Sequence, residues 1–285
     1  DTCWHLLVRL RASVLWSLTA VAATVAAFIF KLNFVAADSP ELLSTSPLGP
    51  VGKDSISLVS QARLAFCGIA LLIVLPMFIN RKSPRRRGKC NTLTSDLSNL
   101  RSVNTPILHE ALTLFLITQS RATNIPLFLI FRIQLHILSW IALTDVEVTI
   151  TSLLSQYTAF FAFGGSNSIS SVDLSSAYNG VGSYSVMFVG ILTYVSNWAG
   201  PIWWVSAARL LRKRPTSAER LEHITLLTFH AAASLMSVMA ACTILRSHLF
   251  IWTVFSPKYL YTMAWTLINH MGINILAEAD FLPCL

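Results

Sequence analysis

Seven or eight stretches of this sequence are long, continuous and nearly free of charge, and together they take up more than half of its 285 residues. A bilayer core asks for about 20 mostly apolar residues per helix, and these runs meet that length. A water-soluble globule has no use for so many. Only 12% of the residues are charged and 54% are hydrophobic, whereas soluble domains carry roughly 25% charge. The runs are also longer and more continuous than the ~10-residue alternating segments of an outer-membrane barrel. The expected fold is therefore an all-α, polytopic transmembrane bundle of seven to eight spans.

The spans are expected at 12–30, 64–80, 105–120, 124–143, 146–163, 186–211, 224–245 and 259–276. The third is the weakest, because it is short and carries His109 and Glu110. Between 81 and 101 stand Arg81, Lys82, Arg85, Arg86, Arg87, Lys89 and Arg101 against the single acid Asp96, and this polar stretch is expected to be unstructured. A second basic cluster comprises Arg209, Arg212, Lys213, Arg214 and Arg220. The net charge of +8 could suggest a nucleic-acid partner. The basic residues lie between apolar runs rather than along one soluble face, so positive-inside orientation explains them better. If both clusters face the cytosol, an even number of crossings separates them, which requires the third span to cross. The segment 164–185 then faces the opposite, lumenal compartment. On this reading residues 1–104 form two spans with polar loops, and 105–285 form a second membrane region.

That segment, GGSNSISSVDLSSAYNGVGSYS, is dense in glycine, serine and asparagine. Its backbone amides and hydroxyls suit a polar headgroup or glycan, with Asn167, Asp173 and Asn179 as the side-chain anchors. The span after it contains SNWAGPIWW, where Gly200 and Pro201 predict a mid-helix kink flanked by Trp198, Trp203 and Trp204. Segment and kinked span together read as one substrate-holding unit, against the plainer reading that a membrane loop is simply polar and that tryptophans mark an interface belt or core packing. Under the alternative, Asp173 caps a short helix at 174–178.

Catalytic chemistry is hard to find. Gly165 and Ser166 lack a positioned base, and His109-Glu110 lacks the second histidine that a zinc helix needs four residues on. The other histidines have no ligand spacing, and an intramembrane histidine is expected to bond between helices. Arg132 and His136, one helical turn apart, share a face that is either structural or part of a polar path. Cys3, Cys67, Cys90, Cys242 and Cys284 show no paired spacing and read as free thiols. No catalytic or metal-binding residue is therefore expected in this chain. Its opening on Asp1, directly before a span and without a signal region, has the look of a piece of a longer protein.

YTAFFAFGGSNSISSVDLSSAYN at 157–179, continuing into ILTYVSNWAGPIWW, resembles the carboxy-terminal membrane region of the GPI ethanolamine phosphate transferases, nearest to the fungal branch acting on the second mannose. RATNIPLFLIF at 121–131 and HLFIWTVFSPKYLY at 248–261 occur in the same order, so the resemblance covers 105–276. The first hundred residues match in character alone. The resemblance implies a multi-pass protein of the endoplasmic reticulum membrane that works on GPI precursors with phosphatidylethanolamine as donor. It also implies a lumenal catalytic domain, similar to alkaline phosphatases, holding zinc-like metal ions and a threonine nucleophile outside this sequence. A stabilising membrane subunit is a further implied partner. A lipid or solute transporter, or a non-catalytic accessory subunit, is the alternative, although no internal repeat supports the transporter.

Overall fold

The computed structural model describes residues 2–38, 58–81, 93–165, 172, 174–182, 185–212, 217–248 and 255–275. Among them all regular structure is helical and no strand occurs. The α-helices are α1 (Thr2–Asp38), α2 (Leu58–Arg81), α3 (Leu93–Gln119), α4 (Ile125–Trp140), α5 (Asp145–Ala162), α6 (Val186–Asn197), α7 (Ala199–Leu211), α8 (Ser217–Ile244) and α9 (Phe255–Trp265). A π-helical segment, Thr266–Ile275, continues α9, and one tight 3₁₀ turn forms at Ser175–Tyr178. Three described helices are long and apolar enough to cross a membrane, over Trp16–Ala37, Ala122–Trp140 and Ala218–Ile244. Leu58–Val74 and Val186–Asn197 are shorter apolar helices.

The outer faces explain the composition. Leu18, Phe28, Leu64, Met187, Phe188, Phe229 and Met236 are all exposed, on a scale that a soluble monomer avoids. Alanines and a set of aromatic rings lie inside instead.

The chain divides into two compact units. The first comprises Asp1–Pro126 and Leu174–Ser196. Here α1 and α2 meet along an alanine seam, with Ala27, Phe30, Ala62 and Ala65 buried together and Ala23 packed beside Ile69, Leu72 and Ala111 of α2 and α3. Lipid gives two helices no hydrophobic reason to associate, so close backbone approach over small side chains supplies the packing. Phe66 and Phe115 add an edge-to-face contact at 5.7 Å, and Asn33 Nδ2 donates to Gln61 Oε1 at 2.8 Å.

The turn at Ser175–Tyr178 packs on this bundle. It ends at Gly180, whose φ of 77° lies in the left-handed region and whose missing Cβ would stand 2.8 Å from the Phe66 ring. Gly180→Val should therefore destabilise this unit by about 3 kcal/mol, combining left-handed strain with overpacking. A fall in the thermal unfolding midpoint of the purified protein in detergent checks it, with Gly190→Val as the control, since a Cβ at Gly190 meets open space.

The second unit comprises Leu127–Asp173 and Asn197–Leu285. Helix α5 starts with a full capping box: Thr144 accepts from the Glu147 backbone amide, and Glu147 reaches back to the Thr144 amide at 2.8 Å. It packs closely on α7, where a Cβ on Gly200 would lie 2.9 Å from Ala159 Cβ. Phe128, Phe131, Phe163, Trp203 and Trp204 form one aromatic core with ring centroids 5.2 to 6.3 Å apart.

Two expectations about helix limits change. The run 186–211 is two helices rather than one kinked at Pro201: Trp198, at φ −111° and ψ 17°, separates α6 from α7. Pro201 then sits in the first turn of α7, where its missing N–H removes no helical bond. The stretch expected to be unstructured up to 101 is helical from Leu93, the start of α3; residues 82–92 lie outside the described ones. Polarity along 93–101 is satisfied by a solvated helix as well as by a coil.

Candidate functional site

In the first unit a polar clamp gathers where α1 and α3 end and α2 begins. Lys31 lies within a membrane-length helix yet is only 5% exposed. Its ammonium donates to the carbonyls of Thr118, at 3.3 Å, and of Ser120, and it lies 5.0 Å from the Phe34 ring centre. The last carbonyls of a helix have no partner inside the helix, and they form the negative end of its dipole. A buried cation there solves both problems. Asn179, also 5% exposed, donates its side-chain amide to the same Thr118 carbonyl at 3.2 Å. Arg63 Nε donates to the Gly180 carbonyl at 3.1 Å. Gln119 is fully buried beside this clamp in sequence, and neither of its amide atoms has a hydrogen-bond partner.

In the second unit the start of α5, the end of α7 and the start of α8 meet around a pocket. From α5 come Thr149, Ser152 and Gln156; from α7, Val205, Ala208, Arg209 and Arg212; from α8, His223 and Leu227. Arg212 pairs with Asp145 through Nε and Nη2, both 3.4 Å from one carboxylate oxygen. Thr149 Oγ1 donates to the Asp145 carbonyl at 2.7 Å and lies 2.6 Å from His223 Nδ1. A hydroxyl has one proton to give, so the histidine is the donor and carries its ring proton on Nδ1. Gln156 Nε2 donates to Ser152 Oγ at 3.1 Å.

Further along the same unit two more histidines join helices. Tyr157 Oη lies 3.2 Å from His230 Nε2. Thr228 Oγ1 donates to the Ile224 carbonyl and so accepts from His270 Nε2 at 3.0 Å. His270 Nδ1 and Asn269 Oδ1, both on the π-helical segment, are buried with no hydrogen-bond partner. Interhelical bonding of histidines is what the sequence leads one to expect. The pairing of His223, His230 and His270 with hydroxyls of Thr149, Tyr157 and Thr228 is not, because it depends on helix facing.

The residues singled out from sequence separate. Asn167 and Asp173 lie outside the described residues. Leu174 stands at the N-cap of the 3₁₀ turn with no side-chain cap bond. Asn179 serves the clamp. Trp203 is fully buried in the aromatic core. Trp198 is half-buried, stacked on Trp265 at 4.6 Å and flanked by Phe160 and Tyr261 at 5.2 and 6.2 Å. Arg132 and His136 are exposed, and His136 lies edge-on to Trp140 at 4.9 Å. Cys67 and Cys242 are free thiols. Among the described residues no group of three or more His, Cys, Asp or Glu side chains is placed to hold a metal ion.

Comparison with known proteins adds identity to this geometry. The family model described as GPI ethanolamine phosphate transferase membrane region matches residues 1–283, which extends the likeness through the first hundred residues. Proteins named GPI ethanolamine phosphate transferase 2 are similar to the chain. That of Aspergillus oryzae is 54% identical over 255 residues, 88% of this chain and 28% of that protein. That of Aspergillus fumigatus is 52% identical over 282 residues, 98% of this chain and 30% of that protein. That of Yarrowia lipolytica is 36% identical over 217 residues, 61% of this chain and 25% of that protein. No solved structure matches. The chain thus spans less than a third of the length of these curated relatives. This chain, helical in all the regular structure of its described residues, with three apolar helices of membrane length and matched by that model over nearly its whole length, belongs to the GPI ethanolamine phosphate transferase membrane-region family.

Proposed function

We propose that this chain is the multi-pass membrane portion, of seven to eight spans, of an endoplasmic reticulum enzyme that adds phosphoethanolamine to the second mannose of GPI anchor precursors. The match over residues 1–283, with 54% and 52% of the aligned residues identical to two proteins named transferase 2, carries this reading. The donor is phosphatidylethanolamine, the acceptor a mannosylated GPI lipid. The metal ions and nucleophile belong to a catalytic domain outside this stretch, and a membrane subunit stabilises the assembly.

Orientation has support from within each unit. Charge alone puts the ends of the first and third spans, the start of the second and the segment 164–185 on the lumenal side, and the Lys31, Arg63, Thr118 and Asn179 clamp joins those same pieces. The start of α5, the end of α7 and the start of α8 belong to the cytosolic side on the same count, and Asp145, Arg212 and His223 bring them together. A third span that crosses is consistent with both. For substrate contact, Asn167 and Asp173 on the lumenal segment remain the polar candidates and Trp198 the aromatic one; Asn179 and Trp203 have structural tasks that account for their burial.

A chimera tests the assignment. In the Aspergillus fumigatus transferase 2, the matching membrane region is replaced by this chain and expressed in cells lacking that enzyme. GPI precursors modified on the second mannose are expected to return, whereas this chain alone transfers nothing. Accumulation of the unmodified precursor with a stably expressed chimera sinks the reading.

A further inference from the structure

The pocket between the start of α5, the end of α7 and the start of α8 has an interior of about 30 Å3. A cavity needs roughly 10–15 Å3 for each water-sized occupant, so about two such atoms fit. Arg209, Arg212, His223, Ser152 and Gln156 are among its lining residues. No carboxylate is among the lining residues. The acids in the neighbourhood are Asp145, paired with Arg212, Glu147, engaged in the α5 cap, and Glu219 and Glu222 in the first turns of α8. Val205 and Leu227 make the rest of the wall apolar.

Two water-sized places beside two guanidiniums suit the two non-bridging oxygens of a phosphodiester, which arginine meets with paired, charge-assisted bonds. The apolar wall and the outward lipid-facing helices select a lipid over a soluble phosphate. With Arg212 paired to Asp145, a wall that carries no carboxylate of its own favours a headgroup of net negative charge over a zwitterionic one. Basic pockets between membrane helices at the cytoplasmic interface take anionic headgroups by this chemistry. We infer that the pocket holds the phosphodiester of an anionic phospholipid from the leaflet facing the basic loops. Arg209 meets the non-bridging oxygens beside the Asp145-bound Arg212, and Val205 and Leu227 lie against the start of the lipid's apolar part.

The test uses the full chain in nanodiscs of phosphatidylcholine containing a minor share of phosphatidylinositol, followed by detergent stripping and a count of retained lipids by native mass spectrometry. Wild type is expected to keep phosphatidylinositol enriched about tenfold over its share of the bilayer, a preference of about 1.4 kcal/mol. Arg209→Gln should abolish the enrichment. Ala208→Leu fills the pocket and leaves every charge in place, and it should abolish the enrichment too. Arg246→Gln, an exposed cation beyond the other end of α8, should retain it, and millimolar inorganic phosphate should not displace the lipid. Lack of enrichment in wild type overturns the inference whether or not any variant folds. So does enrichment that survives Ala208→Leu, which would mark general attraction to the basic loops, or displacement by inorganic phosphate, which would mark a site for the free ion.

Discussion

Lys31→Glu is expected to prevent the first unit from folding. The ammonium of Lys31 sits against the carbonyl oxygens of Thr118 and Ser120, so a carboxylate there would face two acceptors, buried and without a donor. Leaving a charge uncompensated in such a place costs about 3–5 kcal/mol, on the scale of the whole stability of many domains. Lys31→Met separates the causes. It removes the cost of burying a cation but strips the Ser120 carbonyl of this donor and leaves Thr118 with Asn179, so a smaller loss of about 2 kcal/mol is expected. Thermal unfolding of the purified variants in one detergent reads both, and a Lys31→Glu protein with the wild-type midpoint would show that the clamp contributes nothing.

The second large effect is expected at Trp203. Its side chain is fully buried, with Phe131 at 5.6 Å and Trp204 at 5.2 Å between ring centres. Deleting a buried aromatic leaves a cavity, and in soluble cores Trp→Ala costs about 3–5 kcal/mol. In a bilayer the released surface meets lipid rather than water, so the transfer part shrinks and the lost packing remains. The expected cost for Trp203→Ala is therefore about 3 kcal/mol, with Trp203→Phe well below it. The readout also separates two roles for this residue. As a structural ring, Trp203→Ala lowers the unfolding midpoint in detergent with no substrate present; as a substrate contact it would raise the acceptor KM in the whole enzyme at an unchanged midpoint.

The apolar runs were legible because bilayer length and freedom from charge are properties of the chain itself. The contrast comes from residues whose meaning depends on a distant partner. Lys31 reads in sequence as the charge that terminates a span, since nothing local offers it a counterpart; its acceptors are main-chain carbonyls 87 and 89 residues away, and a carbonyl has no sequence signature. Asn179 reads as a ligand anchor for the same reason, because its acceptor is again the Thr118 carbonyl. Pro201 announces a disturbance correctly, but a proline in a first turn and one at a kink look alike in one dimension. The pocket was the least visible feature. Arg209 and Arg212 could be read as an orientation signal, whereas Thr149, Ser152 and Gln156 have the 3.6-residue spacing of any polar helix stripe and gain significance only from facing them.

The Thr118 carbonyl receives both Lys31 and Asn179, and the two donors lie on opposite sides of it in the chain. A ribosome adds about 5–20 residues per second, so Asn179, 61 residues later, emerges roughly 3–12 s after Thr118. Lys31 has by then already been made. During that interval the end of α3 has one of its two donors and the place later covered by the 3₁₀ turn stands open. The first unit is therefore a discontinuous assembly whose completion waits on the synthesis of α4 and α5, helices that fold into the other unit. A quality-control factor that recognises unpaired polar groups would find its target in this waiting state, and Lys31 shortens the list of groups it could recognise.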